Sequence, residues 1–201
     1  MRHPNRRDLI RTGIVGTVTA VAGGAVLRDA ATAEADILGD ARGDAALLER
    51  MLAIEQLIAF AYGYVISKIP LSPKAAAMLR KFASQERDHV RLLSRALRDL
   101  GHAPPPAPTD AASVSHQLAQ LHGSGDLMSF ARQAGALEYL IGIETVAESV
   151  YYAATSKLSN PTLVSLAAGI LACEAQHWTS LEELLHPGDV MQSVPYSTVR
   201  G

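Results

Sequence analysis

Hydrophobic residues recur with a helical period along most of the chain, and strand-like alternation is scarce. The pattern predicts four long helices separated by residues that cap or break helices. We expect them to run from an N-cap at Asp44 to about Lys68, from Ser72-Pro73 to Gly101, from an N-cap at Asp126 to about Leu158, and from Asn160-Pro161 to Pro187-Gly188. Residues 102–125 begin with prolines and end in Gly-Ser-Gly, which predicts a connector with one short helix near 111–122.

The lengths of the connections indicate how these helices pack. Turns near 69–72 and 159–160 are short, so each joins two helices into an antiparallel hairpin. The connector at 102–125 is long enough to cross a bundle lengthwise. We therefore predict an all-α protein: a four-helix bundle of two antiparallel hairpins joined by a long crossover, spanning residues 44–187, with an irregular tail at 188–201.

The N-terminal segment 1–33 is typical of an export signal. A basic start containing Arg6-Arg7 precedes the uncharged stretch 12–27, and Ala31-Thr32-Ala33 has the small residues of a cleavage site. The paired arginines resemble a twin-arginine signal, although Asn5 and Leu9 depart from its commonest form. We predict a signal peptide at 1–33, a linker at 34–43, the twin-arginine export machinery as a partner, and a periplasmic, cell-envelope or extracellular location. An ordinary secretory signal and an uncleaved anchor are the alternatives.

The charge balance changes once the predicted signal is set aside. The whole chain has 18 basic and 20 acidic residues, but the segment 1–33 holds five arginines and only two aspartates. The chain from position 34 onward therefore has 13 basic and 18 acidic side chains. Without a basic surplus we expect no nucleic-acid partner, and a single cysteine excludes both an internal disulfide and a cysteine-rich zinc module. The acidic surplus therefore lies in the part of the chain that follows the predicted signal.

Acidic residues and histidines interrupt the apolar seams of all four predicted helices. A Glu and a His three positions apart occupy the middle of the seam on the second and fourth helices, so both side chains of each pair share one face. The first and third helices each carry one seam Glu, followed seven positions later by a Tyr. The seam acids and histidines are Glu55, Glu86, His89, Glu144, Glu174 and His177, and the tyrosines are Tyr62 and Tyr151.

The two halves of the chain repeat this arrangement, which predicts four carboxylates and two imidazoles at the bundle centre. The spacing from Glu55 to Glu86 matches that from Glu144 to Glu174 to within one position. Buried carboxylates cost several kcal/mol each, and no Lys or Arg lies on these seams to pair with them. Two divalent cations would neutralise the four acids. The oxygen-rich donor set suits iron, with manganese as the alternative, better than zinc or copper.

These six positions resemble the ligand pattern of the ferritin-like superfamily, in particular exported bacterial ferritin-like proteins, over residues 44–186. The resemblance implies a di-iron carboxylate centre that reacts with oxygen or peroxide, with ferroxidase or oxidase activity and a homo-oligomeric assembly among the possibilities. Two other hypotheses stay open: a non-enzymatic cell-envelope module with a vestigial or regulatory metal site, and a manganese-dependent enzyme that destroys peroxide.

Several other polar residues are expected to stand outside the centre. Tyr62 and Tyr151 could be redox relays or hydrogen-bond donors to ligands, although a packing role is the simpler interpretation. Glu148, one turn beyond Glu144, could be an additional ligand but is expected on a solvated face. We expect exposed side chains at Glu49, Glu138, His102, His116 and His122, a small buried thiol pointing away from the centre at Cys173, and a packing role for Trp178.

Overall fold

The computed structural model describes residues 41–120 and 125–193, and it contains five α-helices and no strand within those ranges. The helices are α1 (Asp44–Lys68), α2 (Pro73–Asp99), α3 (Ala111–Gln120), α4 (Gln133–Lys157) and α5 (Pro161–Leu185). The predicted signal peptide at 1–33, most of the linker and the end of the tail lie outside the described residues. In the described part of the chain, no helix combines the length and the apolar character needed to cross a membrane.

The four long helices form the predicted bundle of two hairpins. α1 packs along α2, α4 packs along α5, and the two hairpins meet mainly through α1 and α4. The short helix α3 lies in the crossover and buries Val114 and Leu118 against α1. Among the neighbouring long helices, α2 and α5 pack least closely, which leaves room between them for polar side chains. The predicted all-α four-helix bundle is confirmed.

The central pair of helices is apolar over a wide face because each contacts neighbours on two sides. α4 buries 14 of its 25 residues, whereas α5 buries eight of 25. A strict seven-residue repeat from Leu79 through Glu86 and Leu93 predicts Leu100 as the next seam residue. However, Leu100 follows the end of α2 and is 39% exposed, and Leu97 is buried instead. A helix with 3.6 residues per turn drifts away from a strict 3.5-residue seam, which explains this difference.

Two of the four predicted N-caps are present. The Ser72 hydroxyl accepts a hydrogen bond from Ala75 N at 3.3 Å, and the Asn160 side chain accepts one from Thr162 N at 2.9 Å. Each is followed by a proline at the first helical position, where the missing N–H has no helical partner to lose. These caps fix where the second helix of each hairpin begins.

The N-cap predicted at Asp44 is wrong. Asp44 is the first residue of α1, and its carboxylate accepts hydrogen bonds from the backbone N–H groups of Ser159 and Asn160 at 2.7 and 3.0 Å. The side chain therefore ties the start of α1 to the turn between α4 and α5.

The N-cap predicted at Asp126 is also wrong, since α4 begins only at Gln133. The Asp126 carboxylate accepts a hydrogen bond from Met128 N at 2.8 Å, which closes a local turn. The next residue, Leu127, is fully buried and fixes this turn against the bundle. The crossover is consequently longer than residues 102–125.

Candidate metal centre

The structure brings the six predicted seam residues together halfway along the bundle. The four glutamates have no exposed surface, and the two histidines are 6% and 1% exposed. α2 and α5 each present a Glu and a His from adjacent turns of one face, and α1 and α4 each add one Glu. The ligand candidates are Glu55, Glu86, His89, Glu144, Glu174 and His177.

The six residues form two overlapping groups that share two glutamates. In one group Glu86 and Glu174 join Glu55 and His89, and in the other the same two glutamates join Glu144 and His177. The donor atoms within each group all lie within 4.8 Å of one another. Each group thus takes three residues from one hairpin and one from the other. This arrangement could hold two metal ions with Glu86 and Glu174 between them.

Both imidazoles turn Nδ1 toward the carboxylates. His89 Nδ1 lies 2.9 Å from Glu174 Oε1 and 3.3 Å from Glu55 Oε2. His177 Nδ1 lies 2.8 Å from Glu86 Oε1 and 3.4 Å from Glu144 Oε1. In each case one close carboxylate comes from the opposite hairpin. The nitrogen lone pair of a neutral imidazole would therefore point into the space that the carboxylates surround.

Many of these buried polar atoms lie close together without forming aligned hydrogen bonds. Six atoms have no hydrogen-bond partner of acceptable geometry among residues 41–120 and 125–193: both oxygens of Glu86, both oxygens of Glu174, Oε2 of Glu144 and Nδ1 of His177. His177 Nδ1 and Glu86 Oε1 are near enough to pair but are not aligned with each other. Buried polar groups are normally satisfied, so this concentration of unsatisfied donors and acceptors fits a shared cation.

Burial and charge repulsion shift the proton affinities in the cluster. Burial, followed by the charges of Glu174 and Glu86, holds the pKa values of Glu55 and Glu144 well above the ordinary range. Burial acts to raise the pKa of Glu174, but the nearby imidazoles of His177 and His89 outweigh it and lower this pKa to about 2. Burial disfavours the imidazolium forms, yet the Cys173 thiol and the nearby carboxylates raise the pKa of both histidines.

These shifts describe how the cluster balances its charge with protons alone. The raised pKa values of Glu55 and Glu144 favour their neutral forms, and the raised pKa values of the two histidines favour imidazolium forms that offset the charge of Glu174. Divalent cations at the same positions would take over this compensation and release the protons. The donor set, its complete burial and its unsatisfied oxygens all fit a pair of metal ions.

The two tyrosines reach across the bundle to the glutamates of the opposite hairpin. The Tyr62 hydroxyl of α1 donates to Glu144 Oε1, and the Tyr151 hydroxyl of α4 donates to Glu55 Oε1, both at 2.5 Å. Both tyrosines are fully buried. The simpler expectation of packing alone is incomplete, since each phenol orients one carboxylate of the cluster.

The outer edges of the histidines contact residues that sequence reasoning missed. His177 Nε2 lies 3.1 Å from Gln85 Oε1 and 3.5 Å from Cys173 Sγ. The Cys173 thiol also interacts with His89, and hydrogen bonding to the two histidines lowers its pKa to about 7. The expectation that Cys173 points away from the centre is wrong. The sequence does hold a signal for both residues, because each directly precedes a seam Glu of the repeat.

Glu148 corrects another expectation, because its side chain is fully buried on α4 rather than solvated. It belongs to neither group of candidate ligands. Trp178 is 8% exposed and donates from its indole nitrogen to Thr145 Oγ1 at 3.1 Å, so it combines packing with a hydrogen bond.

The other polar residues expected outside the centre do lie outside it. His102 and His116 are both accessible to solvent, whereas Glu49 and Glu138 are half-buried rather than fully exposed. None of the four belongs to either group of candidate ligands. His122 lies outside the described residues.

The fold and the buried cluster define a class: four-helix bundles with a carboxylate and imidazole centre between two hairpins. The model of the ferritin-like domain family matches residues 43–187, and the chain therefore belongs to that family. The predicted superfamily is confirmed, whereas the assignment to its exported bacterial branch stays a prediction.

Two solved structures share the fold. A dodecameric thioferritin, the bacterioferritin-related protein of Bacteroides fragilis, is 18% identical with a TM-score of 0.59, covering 81% of this chain and 96% of that chain. A conserved hypothetical protein of Mycobacterium tuberculosis is 17% identical with a TM-score of 0.57, covering 79% and 94%. At these identities the similarity shows the fold alone. A comparison with curated proteins finds no match.

Proposed function

We propose that the protein binds two metal ions at this centre, with iron as the resident metal, and uses them to react with oxygen or peroxide. One observation supports the proposal above all others: two four-residue donor groups share Glu86 and Glu174. A single ion would leave several buried carboxylate oxygens without a partner. Two ions, each with its own Glu and His and both contacting the shared glutamates, would satisfy the whole cluster.

The donor types favour iron, with manganese as the alternative. Each half offers carboxylate oxygens and one imidazole nitrogen, a mixture that suits hard to intermediate divalent ions better than copper or zinc. Neither group in the described residues takes a thiolate donor, since Cys173 is in neither. Metal analysis of protein isolated from its native compartment distinguishes the two, and manganese in place of iron would favour peroxide destruction.

In this proposal the chain supplies position, exclusion of water and a place for protons. Glu55 with His89, and Glu144 with His177, hold the outer sides of the two ions, and the tyrosine hydroxyls keep the outer carboxylates oriented. Complete burial of the four glutamates keeps bulk water away. Two ferrous ions, when bound, supply the two electrons that, with two protons, convert oxygen to hydrogen peroxide or hydrogen peroxide to water.

Oxygen consumption tests the catalytic part of the proposal. Ferrous iron is added anaerobically to the purified protein. The protein is then mixed with oxygen or peroxide, and the rate at which either is consumed is measured. In the wild type we expect two bound irons per chain and rapid consumption of oxygen or peroxide. The variant Glu86→Ala/Glu174→Ala is expected to show neither the iron binding nor the rapid consumption. The matched control replaces Glu49 and Glu138, two half-buried glutamates outside the cluster. If the wild type binds two irons but consumes oxygen no faster than the variant does, the protein is a non-enzymatic metal-binding module.

We also propose that the chain forms a homo-oligomer, which the dodecameric state of the similar thioferritin supports. Light scattering coupled to size-exclusion chromatography is expected to give a mass several times that of one chain. A mass of one chain at micromolar concentration would contradict this proposal without affecting the metal centre.

Export through the twin-arginine route is proposed from the sequence at Arg6-Arg7. This route is associated with proteins that fold and take up cofactors before crossing the membrane, which would suit a buried metal centre. Replacing both arginines by lysine is expected to retain the full-length protein in the cytoplasm. Continued export of that variant would favour an ordinary secretory signal.

A further inference from the structure

The two candidate ligand histidines differ in what contacts their outer edges. His177 Nε2 faces the side-chain carbonyl of Gln85 at 3.1 Å, which is a normal hydrogen-bond distance. The Cys173 thiol, which also lies 3.5 Å from His177 Nε2, is the neighbour of His89, and no side-chain amide among the described residues pairs with that ring. An amide oxygen is a good acceptor, whereas a thiol sulfur is a weak one. The two halves of the cluster therefore have the same types of carboxylate ligand, but the outer edges of their two imidazoles have different hydrogen-bond acceptors.

The repeat in the chain shows that Gln85 and Cys173 are equivalent positions. Each directly precedes the Glu of a Glu-x-x-His pair, on α2 and on α5 respectively. Gln85 reaches across the gap between these helices to His177, whereas Cys173 contacts both His177 of its own helix and His89 of the opposite hairpin. The pseudo-symmetry that matches every candidate ligand with a counterpart of the same type thus fails at this one pair of supporting residues.

The hydrogen bond from His177 to Gln85 has a consequence for metal binding. For Nδ1 of His177 to donate its lone pair to a metal, the ring proton must reside on Nε2. A carbonyl oxygen at 3.1 Å from Nε2 favours this tautomer and fixes the plane of the ring. The tilted stacking of Phe82 on the same ring, with centroids 4.2 Å apart, limits its rotation further.

We propose that Gln85 is a positioning residue for His177, and that the difference between Gln85 and Cys173 makes the two metal positions unequal, with the tighter one on the His177 side. This inference rests on the proposed dinuclear centre. In the described part of the chain no amide oxygen supports the ring of His89, and this side binds its ion more weakly. The chain would fill its two positions in sequence, the Glu144 and His177 side first.

Anaerobic cobalt(II) titration of the full-length protein, followed by visible absorption and by metal content, tests the proposal. The wild type is expected to bind two ions in two steps that have different dissociation constants. Gln85→Leu removes the acceptor and is expected to weaken the tighter step about 10- to 100-fold, the usual effect of losing such a support. Gln85→Glu restores an acceptor oxygen and is expected to recover the tighter step.

Two controls separate positioning from a general structural effect. Gln176→Leu alters an exposed glutamine beside His177 and is expected to leave both steps unchanged. The metal-free melting temperature of Gln85→Leu is the second control: any loss of stability there reports the lost hydrogen bond, whereas the weakening of the tighter step is read from the cobalt titration at a temperature where the variant is fully folded. Two equal wild-type steps, an unchanged tighter step in Gln85→Leu, or no recovery in Gln85→Glu would overturn the inference while leaving the dinuclear centre intact. Fewer than two cobalt ions in the wild type would instead contradict the proposed function.

Discussion

Sharing of Glu86 and Glu174 between the two donor groups predicts that ligand substitutions fall into two classes. Glu174→Gln removes a ligand from both metal positions, whereas Glu55→Gln removes one from the His89 side only. The substitution of a shared glutamate should therefore abolish the stabilisation contributed by both ions. The substitution of an outer glutamate should remove only one part of it.

The size of this effect follows from mass action. At a free metal concentration one hundred times the dissociation constant, each bound ion stabilises the folded state by about 2.7 kcal/mol. For a domain the size of residues 43–187, this corresponds to an increase in melting temperature of about 9 °C per ion. With free metal at one hundred times the dissociation constant of the weaker position, we expect an increase of at least about 18 °C in the wild type, at least about 9 °C in Glu55→Gln and almost none in Glu174→Gln.

Anaerobic thermal unfolding, followed by circular dichroism with and without ferrous iron, measures these increases. Each variant is compared with its own metal-free form, so that direct effects of the substitution on folding cancel. Glu138→Gln, a half-buried glutamate on α4 outside the cluster, is the matched control and should behave as the wild type. Equal metal-induced increases in the wild type and Glu174→Gln would refute the shared-ligand arrangement.

Three further predictions concern the bundle around the centre. Tyr62→Phe and Tyr151→Phe each remove a buried donor to a carboxylate, and each should cost about 1–3 kcal/mol in urea unfolding of the metal-free protein. The backbone N–H of Ser159 holds the pKa of Asp44 below 3.8, so this contact stabilises above that pH and is lost as pH falls through the lowered value. Because Asp44 is mostly exposed, Asp44→Ala should cost at most about 1 kcal/mol at pH 7, and the cost should shrink in acid titration. Gly169→Ala, on an open helical position, should stabilise by about 0.5–1 kcal/mol, since nothing lies within 4 Å of the added carbon.

The centre was predictable because its residues break a simple pattern. An apolar seam tolerates few polar residues, so a Glu and a His three positions apart on each of two seams stand out. The repeat then indicated which residues of the two halves correspond, although the sequence does not show how the halves pack. The helix starts at Ser72 and Asn160 were predictable for a similar reason, because cap and proline act locally.

Features that depend on the neighbouring helix were not predictable in this way. Asp44 and Asp126 both have the side chain of a good N-cap, but Ser159 and the turn at Met128 compete for their carboxylates. Glu148 lies on α4, whose buried face is so wide that a position one turn past the ligand is still inside. Nothing in the local pattern of α4 fixes that width, because it depends on contacts with both α1 and α5.

Cys173 illustrates the same limit at closer range. Cys173 directly precedes Glu174 and therefore lies beside the apolar seam of its helix and not on it. This position predicted a side chain that points away from the centre. His177, four positions further along the same helix, contacts the thiol, and His89 reaches it from α2 across the gap between the two helices. The distance between two helices is a tertiary quantity, and the sequence of one helix does not determine it.

An anomalous-scattering map of crystals grown from the natively metallated protein tests the central claim most directly. Data collected on both sides of the iron absorption edge should show two peaks per chain. One is expected between the shared Glu86 and Glu174 and the pair Glu55 and His89, and the other between the same two shared glutamates and the pair Glu144 and His177. Two peaks that share these glutamates are the predicted result. A single peak, or none with the bundle intact, would contradict a dinuclear centre.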